Sequence, residues 1–191
     1  MATIECWNLA KLNNKPGVII DCEGFQFKNE PLLQPYNGFL TRQIGYVGFN
    51  CEDFGILNFF HPDIQWKKLT PGDKKTVRFC NGLHKLYLAY RHQNDGNQWI
   101  QHENVVSTVQ KFFKNYGFIF FKGGQIEKCL IRRGSDRVFK IDALDVEKYG
   151  VPKSSEIKIP CPYHQEFIPH CSLCDCFSYK YFMKTELSDI F

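Results

Sequence analysis

Three short stretches of this chain carry residue types that could do chemistry together. Asp21-Cys22-Glu23 sets two carboxylates at the end of a β-branched apolar run, Gly17-Val18-Ile19-Ile20. Side chains two apart on a strand share a face, so the pair can converge on Mg²⁺ or Mn²⁺, cations that prefer oxygen ligands. In phosphodiester hydrolysis one such ion activates water and a second stabilises the leaving oxygen. A lone D-x-E is most often a solvated strand end. The buried strand before it and Gly24 after it shift the balance here.

The second stretch, His170-Cys171-Ser172-Leu173-Cys174-Asp175, sets a histidine five residues ahead of an acid at the start of a helix. That spacing can put a general base beside another cation-binding carboxylate. The plainer alternative makes His170 a zinc ligand and Asp175 an ordinary acid favoured by the helix dipole. The third stretch is Cys161-Pro162-Tyr163-His164, followed by Cys171. Thiolate and imidazole are the ligands zinc prefers, and C-x2-H is a regular pair in structural sites. The fourth ligand stays open at this point. Cys174 would complete a local C-x2-H-x6-C-x2-C set, and Glu30 would tie in the loop after the first strand. Cys176 and His170 are remoter candidates.

Elements that could position these residues follow from hydrophobic periodicity. Gly17 to Cys22, Gln43 to Phe49 and Gly55 to Phe60 read as strands of an antiparallel meander, with a loop from His61 to Asp73. A helix from about Thr76 uses Val77, Cys80, Leu83, Leu86, Leu88 and Tyr90, and Asp95-Gly96-Asn97 breaks it. A second helix spans about Glu103 to Tyr116. Then come a strand Phe118 to Phe121, the turn Lys122-Gly123-Gly124, a helix from Gln125 to about Arg133, and a last strand Val138 to Ile141. A small helix near Asp145 to Tyr149, a polar linker Pro152 to Glu156 and a final helix of about Cys171 to Leu187 complete the chain. This order predicts an α/β domain on a mixed sheet with helices on both faces.

The 191 residues are 43% apolar and 16% aromatic, enough for a single domain over 1–191 with a sizeable core and too apolar for disorder. Residues 1–15 read as a short N-terminal extension. No apolar run reaches the length of a membrane span. Met1-Ala2-Thr3-Ile4-Glu5-Cys6 lacks the basic and apolar character of a secretion signal. An intracellular setting, cytoplasmic or nuclear, with nine reduced or metal-bound cysteines is therefore expected. The net charge of +4 permits an anionic partner without demanding one. The Lys122-Gly123-Gly124-Gln125 turn could offer backbone amides and a cation to a phosphate. Lys111, Lys114, Lys128, Arg132, Arg133, Arg137 and Lys140 lie near it in sequence, and Phe25, Phe27 and Tyr36 could stack with bases.

Taken together, Asp21-Cys22-Glu23-Gly24 with Glu30, Cys161-x2-His164 and His170 through Cys176 resemble the DEDDh-type exonuclease domain of arenavirus nucleoproteins and the related Maelstrom domain. The likeness is specific at the two ends and only a pattern in the middle. It implies a ribonuclease-H-like fold and a 3′–5′ exonuclease acting on RNA or single-stranded DNA, with RNA favoured. Asp21, Glu23 and Asp175 would hold Mg²⁺ or Mn²⁺, His170 would act as base, and Lys122, Gly123 and Gln125 would contact substrate. The resemblance also chooses Glu30 as the partner of Cys161, His164 and Cys171 on a structural zinc. One departure stands out: the family carries a further Asp where this chain has Gly124-Gln125, with Glu127 the nearest acid in sequence. An inactive, Maelstrom-like module that binds RNA or protein is the alternative.

Overall fold

The computed structural model describes residues 1–28, 30–84, 88, 98–135 and 141–191, and within these every side chain except those of residues 83 and 84. β1 (Gly17–Gln26) pairs antiparallel with β2 (Phe39–Gly48), and β2 pairs antiparallel with β3 (Phe54–Phe60). β4 (Trp99–Gln101) lies parallel to β3. On the other side of β1, β5 (Phe118–Phe121) and then β6 (Ala143–Asp145) run parallel. The result is one mixed six-stranded sheet of order β4-β3-β2-β1-β5-β6.

Alternation along β1 divides the core into two layers, because successive side chains point to opposite faces. Ile19 packs with Trp7 and Ala10 of α1 (Ile4–Leu12) and with Leu173, Cys176 and Met183 of α6 (Ser172–Thr185). Val18, Ile20 and Cys22 pack with Val105, Val109 and Phe113 of α3 (Val105–Phe113) and Leu130 and Ile131 of α4 (Gln125–Gly134). Helices therefore cover both faces. Burying each such aliphatic side chain stabilises by about 1.5–3 kcal/mol, which explains why β1 is apolar right up to Asp21.

Several elements differ from expectation. Residues 1–15 are no appendage: Trp7 of α1 is fully buried and meets Phe120 edge-on at 4.9 Å. α2 (Pro71–His84) begins earlier than Thr76. Thr70 and Asp73 cap it reciprocally, the Asp73 N–H donating to Thr70 Oγ1 and that hydroxyl to Asp73 Oδ2, with Pro71 preset for a first turn. Of the apolar positions beyond His84, only Leu88 lies among the described residues. The last strand is Ala143–Asp145; of the expected Val138 to Ile141, only Ile141 is described. A short helix, α5 (Ser154–Ile157), occupies most of the expected linker. Among the described residues, no helix is long and apolar enough to cross a membrane.

Candidate metal centres

β1 continues past Cys22, so Asp21 and Glu23 share the face that α6 covers. Their approach to α6 depends on Gly45, which pairs with Asp21 across the β1–β2 ladder. A Cβ at Gly45 would collide with the backbone of Ser172 and stand 2.6 Å from Leu173 N. The first turn of α6 thus rests directly on the sheet, and Asp175, within that turn, reaches Asp21. Side-chain oxygens of Asp21, Glu23 and Asp175 all lie within 4.8 Å of one another. Asp175 is 4% exposed, and Asp21 Oδ2 is shielded from solvent and has no hydrogen-bond partner among the described residues. Burial pushes the Asp21 carboxyl well above the usual carboxylate range, and the charges of Asp175, Glu127 and Glu23 add to it. His170 Nδ1 stands 3.9 Å from Glu23 Oε1, its ring half exposed. The His170 backbone is left-handed, with φ +58°, an uncommon conformation for a residue with a Cβ.

Glu127, on α4, stands behind β1, and its charge reaches Asp21. The β1–β5 ladder ends at Ile19↔Phe120. Beyond it, the Cys22 N–H donates to Glu127 Oε1 at 3.1 Å instead of to a strand. Glu127 is 5% exposed, and burial is the main reason its carboxyl is pushed up to about 7, against the lowering effect of its backbone hydrogen bonds. Proximity in sequence marked Glu127 only as the nearest acid. The firmer signal is Gly124: it has φ +53°, and a Cβ there would strike Glu127 Oε2.

The expected phosphate turn is engaged internally. Lys122 Nζ pairs with Glu147 at 3.3 Å, and the Gly123 N–H donates to Asp145 Oδ1 at 2.9 Å. Lys128 also pairs with Asp145, at 3.0 Å. Gln125 lines a small cavity of about 90 Å³ together with Gln26, Tyr36 and Arg133. Phe25 and Phe27 are core residues rather than stacking platforms, and Tyr36 packs edge-on against His102 with Arg133 over its ring. Arg137 and Lys140 lie outside the described residues.

The Cys/His group gathers in the loop leading into α6. A turn from Cys161 O to His164 N folds the histidine back over Cys161, and Cys171 forms the N-cap of α6 with Cys174 on its first turn. His164 Nδ1 lies 3.2, 3.7 and 3.6 Å from the sulfurs of Cys161, Cys171 and Cys174. Zinc–sulfur and zinc–nitrogen bonds of roughly 2.3 and 2.0 Å give tetrahedral edges of roughly 3.6 Å, so the spacing fits such an ion. Burial raises the Cys161 and Cys171 thiols; without a cation they keep their protons. The fourth member is Cys174, a correction to the expected Glu30. The Glu30 carboxylate instead caps the 3₁₀ turn Pro31–Tyr36, accepting from Leu32 N at 3.3 Å. Proline at 31 starts that turn and leaves an amide that the Glu30 side chain satisfies locally.

No known protein-family model matches this chain, and no curated protein matches it either. The chemistry has to be read from the two clusters themselves. Three thiols and an imidazole, their ligand atoms all within 4.8 Å of one another, could hold a metal such as zinc. The carboxylates of Asp21, Glu23 and Asp175 form a second group that could hold a metal ion, with Asp21 Oδ2 buried and, among the described residues, given no hydrogen-bond donor.

Proposed function

We propose that the protein is a metal-dependent 3′–5′ exonuclease of RNA or single-stranded DNA, similar to DEDDh-type enzymes. The observation that carries this reading is the convergence of Asp21 and Glu23 from β1 with Asp175 from α6, beside His170. The sheet supports a ribonuclease-H-like arrangement: three antiparallel strands, β3-β2-β1, are followed by β5 and β6 running parallel beyond β1. The 3′–5′ polarity rests on the resemblance alone.

In this reading Asp21, Glu23 and Asp175 hold Mg²⁺ or Mn²⁺. The chemistry supplied by a bound divalent ion is polarisation of the phosphodiester and a lowered pKa for the attacking water. His170, exposed to solvent yet adjacent to Glu23, accepts the proton that water loses. Glu127 adds the negative charge that Gly124-Gln125 does not provide, from behind the Cys22 amide. Cys161, His164, Cys171 and Cys174 hold a structural zinc that pins the loop on both sides of His170.

Purified protein with Mn²⁺ is expected to shorten a 5′-labelled single-stranded oligonucleotide from its 3′ end. Asp21→Ala should abolish this while zinc content stays the same. Equal activity in the two proteins would overturn the assignment. Binding without turnover under both Mg²⁺ and Mn²⁺ would point to the inactive module, a reading favoured only by Gln125 standing where the family has its further Asp.

A further inference from the structure

The outer face of α2 and the turn before it form a basic and aromatic surface that the metal chemistry does not use. Trp66, Lys67 and Lys68 make a 3₁₀ turn just ahead of α2. On its inner side α2 packs Val77 and Cys80 against Phe25, Phe27 and Leu40, at the end of β1 beyond Glu23. At about 100° per residue, the opposite arc runs through Lys74, Arg78, Gly82, Lys75 and Phe79. Lys74 Nζ and the Arg78 guanidinium lie 5.9 and 5.3 Å from the Trp66 ring centre. Trp66 is 38% and Phe79 63% exposed, and among the described residues nothing stands within 4 Å of where a Cβ at Gly82 would point. Asp73, the acid between Gln65 and Asn81, is turned inward and held by Thr70 and the Lys28 N–H. Positive charge on this stretch is therefore not offset by a carboxylate of its own.

Exposed rings set among cations suit one kind of polyanion best. Phosphates of a single-stranded nucleic acid pair with Lys and Arg, and its bases stack on aromatic faces. An anionic lipid surface would use the same cations, but it has no need of the acid cluster next door. The surface adjoins that cluster, because the inner side of α2 packs on Phe25, two residues beyond Glu23 in β1.

We propose that this surface grips single-stranded nucleic acid, stacking bases on Phe79 and Trp66 and pairing phosphates with Lys67, Lys68, Lys74, Lys75 and Arg78. The proposal rests on the nucleic-acid reading above and names the surface that holds the strand. Its test is fluorescence anisotropy of the zinc-loaded full chain with labelled oligo-U and oligo-dT, without added Mg²⁺ or Mn²⁺, run beside the Mn²⁺ hydrolysis assay. Phe79→Ala is expected to weaken binding roughly tenfold. Lys75→Ala should lower the slope of log K against log salt by about 0.7. Both side chains are exposed, so melting temperatures should stay put and show that the variants are folded. Unchanged binding in both variants, or no binding by the wild type, overturns the surface even if hydrolysis is intact. Surface-dependent binding without hydrolysis supports it while the exonuclease reading fails. Loss of binding to phosphatidylserine vesicles, with oligonucleotide binding unchanged, overturns it in favour of a membrane.

Discussion

Cys174 and Asp175 are neighbours on the first turn of α6, yet they serve clusters assembled in opposite ways. Cys174 completes a group drawn entirely from residues 161–174, closed by two turns and a helix cap. Asp175 completes a group whose other members, Asp21 and Glu23, come from the far end of the chain, with Glu127 behind them from α4. The local cluster can form wherever its loop is intact. The carboxylate cluster exists only if α6 rests on β2 at Gly45. Their chemistries differ in parallel. Buried thiols without a cation simply keep their protons, whereas crowded carboxylates repel one another until a proton or a cation intervenes. In the proposed function this becomes a division of labour: the Cys/His group orients the piece of chain that carries His170 and Asp175, and the acids do the chemistry.

The largest effect should come from breaking the local group. Cys174→Ser is expected to lose zinc by elemental analysis and to destabilise the fold severely, because structural zinc contributes on the order of 10 kcal/mol, comparable to a domain's whole stability. Glu30→Gln should retain full zinc occupancy. The reverse pattern would restore Glu30 as the ligand and dissolve the contrast between the two clusters.

Gly45→Ala tests the distant contact without touching any ligand. The added methyl meets backbone of α6, so the helix must lift, at a cost of about 1–3 kcal/mol. Zinc content should survive, since the Cys/His group moves as a unit. Mn²⁺-dependent activity should collapse, since Asp175 leaves Asp21. Parallel loss of both would mean the clusters are not separable.

The smallest effect has the opposite sign. Asp21→Asn removes one charge from the crowded acids and is expected to raise the melting temperature in the absence of Mg²⁺ and Mn²⁺. A gain of about 1 kcal/mol corresponds to about 2–4 °C for a chain of this size. The same substitution should erase the stabilisation that Mn²⁺ confers on the wild type. A melting temperature that falls in Asp21→Asn would show that the carboxylates do not strain the metal-free protein.

Which parts were legible follows the same local and distant divide. The strand around Asp21, the helix carrying Asp175 and the trio Cys161, His164 and Cys171 show in periodicity and spacing. Cys174 was legible as the local fourth ligand, and the resemblance drew the choice away to Glu30. The start of α2 was missed although Thr70-Pro71-x-Asp73 is a helix-start signature, because the two prolines from His61 to Asp73 read as loop. β4 was missed because three half-buried residues carry almost no pattern. Trp7 carries no signal in its own stretch of sequence, because its partners, Phe49, Phe118 and Phe120, are far away along the chain.

By itself, the sequence determined the kinds of chemistry available: hard oxygens at a strand end, soft sulfurs and an imidazole at ligand spacing, and a histidine ahead of an acid. Those depend on residue type and on separations of a few positions, where backbone geometry leaves few choices. Tertiary structure alone decided which acids meet, that Glu127 stands behind Cys22, that Asp145 and Glu147 occupy the Lys122-Gly123 turn, and that α2 turns its cations and Phe79 outward. Each of these depends on how closely two elements approach, and a close approach such as that of α6 to Gly45 is set by packing across the sheet rather than by neighbours along the chain.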